Sequence, residues 1–308
     1  MAVLSRRLPA RRSSAIHDSR GDRIFTAFNY IFLTIILIVV LYPLVYVLSA
    51  SFSEPAAVTA GEVRLLPVRF TLIGYEKIFQ HPAIMQGFAN SVFYAVVGSF
   101  INVVMTILAA YPLSRKDLPG RRILGVIFFF PMLFSGGLIP FFLVVRDLGL
   151  LNTRWALIIP TALSVWNVMI TISFFRTSIP DELLEAAQLD GCNDFQYLLR
   201  VVLPLSGSII AVLFLFYGVW HWNQYFLALI FLNNKELYPL QLIMREILVF
   251  NQLDLSMLSD IQQMAIQQGM KEQLKFTVLV VSSLPVMMIY PIVQRYFVTG
   301  ITLGAVKG

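Results

Sequence analysis

The 308-residue sequence predicts an all-α fold, a polytopic membrane protein of six transmembrane helices. Apolar residues make up 58% of the chain and charged residues only 13%, where a soluble domain carries about a quarter charged residues. Six apolar runs reach the roughly 20 residues that a bilayer crossing requires. They cover 27–49, 88–112, 123–145, 155–175, 205–231 and 276–294, and none contains Asp, Glu, Lys or Arg.

The first run follows a basic tail, residues 1–25, with Arg6, Arg7, Arg11, Arg12, Arg20 and Arg23. The apolar stretch exceeds the 7–15 residues or so of a secretory h-region, so it is read as a retained helix. Lys and Arg in short loops set orientation. Arg115, Lys116, Arg121 and Arg122 crowd the loop after the second run, whereas the next loop has only Arg146 and Arg154. Both termini and the loop 178–204 are then expected in the cytoplasm, and the segments 52–87 and 232–275 outside. The net charge of +6 forms no basic stripe beside exposed aromatics, so nucleic acid is not an expected partner. The single cysteine, Cys192, excludes an internal disulfide and a multi-cysteine metal site.

Prolines punctuate the runs at Pro43, Pro131, Pro140, Pro160 and Pro285. Each removes a backbone donor and bends a helix. Ordinary membrane-helix packing and a bundle with a polar pathway both accommodate them.

Between the fourth and fifth runs lies a polar segment with its own helix signals. Ser178 and Asp181 have capping-box spacing, with Pro180 tolerated in a first turn. Asp181, Glu182 and Glu185 suit the positive end of a helix dipole, and Gly191 suits a left-handed stop. Leu183, Ala186, Ala187 and Asp190 recur at helical spacing, which predicts one smooth face of small residues flanked by charge. A second helix then re-enters the membrane near Pro204.

Glu185-Ala186-Ala187-x-x-Asp190-Gly191, followed by Leu203-Pro204, resembles the EAA loop of ABC importer permeases. Further residues resemble the maltose-type, MalG-like carbohydrate permeases, in particular the branch that works with lipoprotein binding proteins for oligosaccharides. These are Phe130-Pro131, Gly136-Gly137-Leu138-Ile139-Pro140, His221-Trp222-Asn223-x-Tyr225-Phe226, Tyr290-Pro291, Gln294-Arg295-Tyr296-Phe297-Val298-x-Gly300 and the closing Gly304-Ala305-Val306-Lys307-Gly308. Ser208 and Gly207 stand where that family often has proline and a basic residue.

The resemblance implies a type I importer fold over residues 26–299 and a cytoplasmic tail at 300–308. It implies a second, non-identical permease, two ATP-binding-cassette ATPases and an extracytoplasmic binding protein as partners. Residues 181–190 would be the coupling helix, with Glu185, Ala186, Ala187, Asp190, Gly191, Leu203 and Pro204 forming the ATPase contact. Gly304, Lys307 and Gly308 would reach between the ATPases. No G-x-x-x-x-G-K-[ST] sequence occurs, so ATP and Mg would be bound by partner subunits and this chain would be a non-catalytic subunit in the inner membrane.

Polar and aromatic residues are densest in the fifth run, at Tyr217, Trp220, His221, Trp222, Asn223, Gln224 and Tyr225. Trp220, Trp222, Asn223 and Tyr225, with Asn90 on the second run, are the candidate contacts to an oligosaccharide. Aromatic faces match sugar rings, and amides match hydroxyls. An interfacial aromatic belt with interhelical hydrogen bonds explains the same residues. A stand-alone secondary transporter would call for buried carboxylates or internal repeats, and a membrane enzyme for an acid–base pair; neither pattern is present. A permease for another solute class is the remaining alternative.

Overall fold

The computed structural model describes residues 19–250, 269–289 and 291. The tail residues Gly304, Lys307 and Gly308, most of the basic N-terminal tail and part of the expected outer loop lie outside the described residues. Among the described residues the fold is helical, with no strand.

Helix α1, Arg20–Ser51, starts in a capping box, where Ser19 Oγ accepts from the Asp22 N–H and Asp22 Oδ2 from the Ser19 N–H. None of its most apolar stretch is buried in the subunit; near its end Tyr46 meets the Phe276 ring edge-on, and only the last turn, at Ser49, Ala50 and Ser51, is buried. A helix apolar all round and unburied is solvated by lipid or covered by another chain.

Two short helices, Pro55–Thr59 and Ile73–Gln80, lead to α2, Pro82–Ser114. Pro82 stands at its start, where the missing N–H costs nothing. A π-turn at Tyr94–Gly98 interrupts it midway. Helix α2 is the centre of the bundle and packs against α5 (Val165–Ser178) and α8 (Gly207–Trp222).

The six-span expectation holds with one correction: three of the crossings are bent. Helices α1, α2 and α11 (Gly269–Ile289) are each long and apolar enough to cross a membrane. The third run is α3 (Arg121–Leu133) and α4 (Leu138–Asp147), bent by 115°. Pro131 removes an interior donor near the end of α3, and Gly137 at φ 84° opens the turn into α4. The fourth run is Arg154–Thr161, largely 3-10 and containing Pro160, bent by 49° into α5. In the fifth, α7 (Asp194–Leu205) meets α8 at 81° across the buried Ser206. The expected continuous helix over 205–231 also unwinds at 223–225 before α9, Phe226–Phe231.

Among the described residues four apolar clusters hold this framework, the smallest at Ala50, Val58 and Val63. One joins the end of α2 (Val103, Ala110) to α5, α7 and α8. A second joins α10 (Leu240–Phe250) and α11 to Trp222. A third gathers Tyr94, Val145, Leu157 and Phe231.

Candidate functional site

Helix α6, Asp181–Leu189, stands on the surface between α5 and α7. Asp181 and Glu182 occupy its first turn, where the dipole favours acids. Ser178 does not cap it. It is the last residue of α5, the residue before α6 is Pro180, and no side chain there accepts a hydrogen bond. The α5 helix runs three residues beyond the expected end at 175, which consumes the serine.

The far end of α6 closes as a Schellman motif. Gly191 is left-handed at φ 78°, the Gly191 N–H donates to Gln188 O at 3.0 Å, and the Cys192 N–H donates to Ala187 O at 2.9 Å. Ala187 is buried, and Leu184 and Cys192 pack against the same cluster, with Tyr197 and Leu198. This corrects the expected face. Ala187 points inward with Leu184, while Leu183, Glu185, Ala186, Gln188, Leu189 and Asp190 are exposed. Leu189 is 90% exposed, an apolar side chain at the helix end that sequence reasoning overlooked. Its signal was present, since helical geometry turns 100° or so per residue and sets 189 well away from 184 and 187.

Ion pairs tie this region to the neighbouring loop. Lys116 Nζ lies 2.5 Å from Asp181 Oδ2, and Arg115 Nη2 reaches Asp117 Oδ2 at 2.7 Å and Asp194 Oδ1 at 3.3 Å. The hydrogen bond from Arg115 holds the Asp117 carboxyl below the usual aspartate range. Between these groups and α6 opens a concavity of about 540 Å³ lined by Tyr111, Arg115, Glu185, Gln188 and Tyr197. Leu203 and Pro204 stand one helix further on, at the end of α7 just before the 81° bend. Leu203 packs against the cluster that buries Ala187, and Pro204 is exposed.

The five candidate substrate residues divide into two groups. Trp220, Asn223 and Tyr225 are exposed together and line an open cavity of about 550 Å³ at the break between α8 and α9. Trp222 is turned away from it. The Trp222 side chain is buried against Phe88, and its indole N–H donates to Ser282 O at 2.9 Å. Asn90 is buried too, with its amide donating to Glu236 O at 2.7 Å and Tyr238 O at 3.0 Å. Trp222 thus ties α8 to α11, and Asn90 ties α2 to the 3-10 turn at Lys235–Leu237.

Gln224 is the addition the structure makes. It lines the same cavity and is 93% buried, yet neither polar atom of its amide has a hydrogen-bond partner among the described residues. An unpaired buried amide costs about 1–3 kcal/mol. Unwound backbone and discontinuous helices are the usual construction of transporter binding sites at membrane depth.

Behind the break runs a buried polar seam. Asn102 Nδ2 donates to Thr161 O at 2.8 Å, leaving its Oδ1 to accept from His221 Nε2 at 3.3 Å. Thr106 and Tyr217 share a hydroxyl hydrogen bond of 2.7 Å. Gly98, in the π-turn, admits the His221 ring, because a Cβ there would stand 2.4 Å from Nε2. His221 is therefore a structural partner of α2.

Six apolar crossings, a Schellman-closed helix displayed between two of them, and a broken fifth span define a membrane permease of the type I ABC importer fold. The chain belongs to the family described as binding-protein-dependent transport system inner membrane component, which matches residues 102–303. It is 40% identical to the polygalacturonan/rhamnogalacturonan transport system permease protein YtcP of Bacillus subtilis (strain 168), over 93% of this chain and 99% of that protein. Protein LplC of the same organism is 36% identical over 95% and 98%. A crystal structure of a bacterial ABC transporter involved in the import of the acidic polysaccharide alginate superposes with a TM-score of 0.84. Its matching chain is 36% identical, over 91% of this chain and 99% of that one. The protein is thus a membrane-embedded transport subunit that works with a binding protein and an ATPase.

Proposed function

We propose that this subunit pairs with a second, non-identical permease above two ATPases and passes oligosaccharides cut from a plant or microbial polysaccharide into the cytoplasm. The relatives named for polygalacturonan/rhamnogalacturonan transport and for import of the acidic polysaccharide alginate support that substrate class. Both termini and α6 face the cytoplasm in this reading, supported by the arginines of the tail and of the loop at 115–122. The exposed Glu185, Ala186, Leu189 and Asp190 enter a groove of the ATPase, and Gly304, Lys307 and Gly308 reach between the two ATPases, which bind ATP and Mg. The observation that carries the coupling role is the Schellman closure at Gly191, which fixes α6 as a rigid knob on the bundle surface.

Oligosaccharide passes the break at 223–225. Trp220 and Tyr225 offer flat apolar faces to sugar rings, and Asn223 and Gln224 offer amides to hydroxyls. The cavity carries amides and aromatics rather than cations, which fits recognition of hydroxyls over carboxylates. The test is ATP-driven uptake into vesicles holding the complete importer, comparing Asn223→Ala and Tyr225→Ala with Trp222→Phe. Uptake falls for the first two with assembly intact, while normal uptake by both would place the path elsewhere.

A further inference from the structure

A groove of about 300 Å³ runs between α3 and α5 on the outer surface of the bundle, at the same end as α6. Its walls are apolar: Val126 and Phe129 from α3, Ile172 from α5 and Leu113 from the end of α2. Its mouth is ringed by Arg121 and Arg122, in the first turn of α3, and Arg176, in the last turn of α5.

These arginines have no carboxylate partner among the described residues. Of the nearby acids, Asp117 and Asp194 are engaged by Arg115 and Asp181 by Lys116, while Glu185, which shares the neighbouring concavity with Arg121 and Arg176, forms no ion pair with either. Arg121 Nη1 donates to Arg115 O, at 3.1 Å, and Arg176 donates to two carbonyls at the end of α2, Nη2 to Leu113 O at 2.7 Å and Nε to Ser114 O at 3.4 Å. The Arg122 side chain makes no hydrogen bond or ion pair among the described residues and is exposed. The N-terminus of α3 lacks a side-chain cap, so its free N–H groups and dipole add to the positive potential. Like charges gathered at one mouth repel each other until an anion enters.

We propose that this groove binds an anionic phospholipid, its phosphate held among Arg121, Arg122 and Arg176 and one acyl chain laid along Gly125 and Phe129. Charge at one end and a dry apolar trough at the other are complementary to an amphiphile, not to a free ion. Gly125 faces the trough, and because a Cβ there would meet only the Phe129 ring, at 3.8 Å, a larger side chain has room to fill it. On the proposed orientation the mouth lies at the cytoplasmic surface, where basic pockets between spans meet acidic lipid head groups.

The test uses the complete importer, delipidated in mild detergent and titrated with phosphatidylglycerol or phosphatidylcholine, with bound lipid counted by native mass spectrometry. Arg122→Gln removes a charge that supports no internal contact, and Gly125→Leu fills the trough while leaving every charge in place. Arg64→Gln, an exposed arginine on the opposite loop, is the control. Each of the first two variants should bind phosphatidylglycerol about fivefold more weakly than wild type or the control, with phosphatidylcholine binding the same in all. Equal phosphatidylglycerol binding by Arg122→Gln and Gly125→Leu would overturn the proposal. So would displacement of the lipid by excess inorganic phosphate, which marks a free-anion site, or loss of ATPase subunits in place of lipid, which marks a protein interface.

Discussion

Trp222 donates its indole hydrogen to the carbonyl of Ser282 at 2.9 Å, fastening α8 to α11 inside the subunit. A neutral hydrogen bond of this kind contributes roughly 1 kcal/mol, and the ring fills space against Phe88. Trp222→Phe should therefore lower the thermal stability of the purified complex slightly and leave uptake per assembled complex unchanged. Trp222→Ala should cost about 3–5 kcal/mol and reduce the assembled yield. Thermal unfolding and transport assayed on the same preparations check both.

Gln224 presents the opposite case. Its buried, unpartnered amide lowers the stability of the resting subunit. Gln224→Leu keeps the volume and should raise stability by about 1 kcal/mol while depressing oligosaccharide uptake. A variant that is both more stable and fully active would remove Gln224 from the path.

Gly98→Ala drives a methyl into the His221 ring, with a 2.4 Å approach that neither helix can relieve cheaply. Assembled yield should fall sharply. The double variant Gly98→Ala with His221→Ala should recover part of it, since the smaller side chain makes room, though Asn102 then loses its partner. Failure of the second change to recover any yield would show that the close approach is not the cause.

The clasp of Arg115 on Asp117 carries a pH signature. Because the folded-state pKa of Asp117 is depressed, its contribution is present above the unfolded value of about 3.9 and is lost as pH falls through the lower folded value. The Asp117 side chain is 63% exposed, so the effect is small. The difference in unfolding midpoint between wild type and Asp117→Asn should be constant above pH 5 or so and shrink on further acidification. A difference that grows on acidification would reverse the assignment.

The apolar runs were legible because hydrocarbon admits few charges, and the length of a crossing is fixed by bilayer thickness. The α6 knob was legible too, since Gly191 and the acidic first turn state its ends directly. The bends were not. Pro131 and Pro160 announced that the chain could break, but its angle depends on what each half packs against. The split between Trp222 and its neighbours Trp220 and Asn223 was likewise hidden, because residue type does not reveal which side of α8 faces α11. Ser178 misled for a related reason: cap spacing is local, and the longer α5 overrode it.

The central claim is that α6 transmits ATP hydrolysis in partner subunits to substrate movement through this chain. Its most direct test is binding-protein-dependent oligosaccharide uptake into vesicles holding the complete importer, measured beside ATP hydrolysis for wild type, Glu185→Ala and Leu189→Asp. Arg200→Gln, exposed on α7 beyond the knob, serves as the control. The account predicts that both α6 variants insert normally but lose uptake, with the ATPases either absent or hydrolysing without transport, while the control transports as wild type does. Normal coupled uptake by both α6 variants would contradict it.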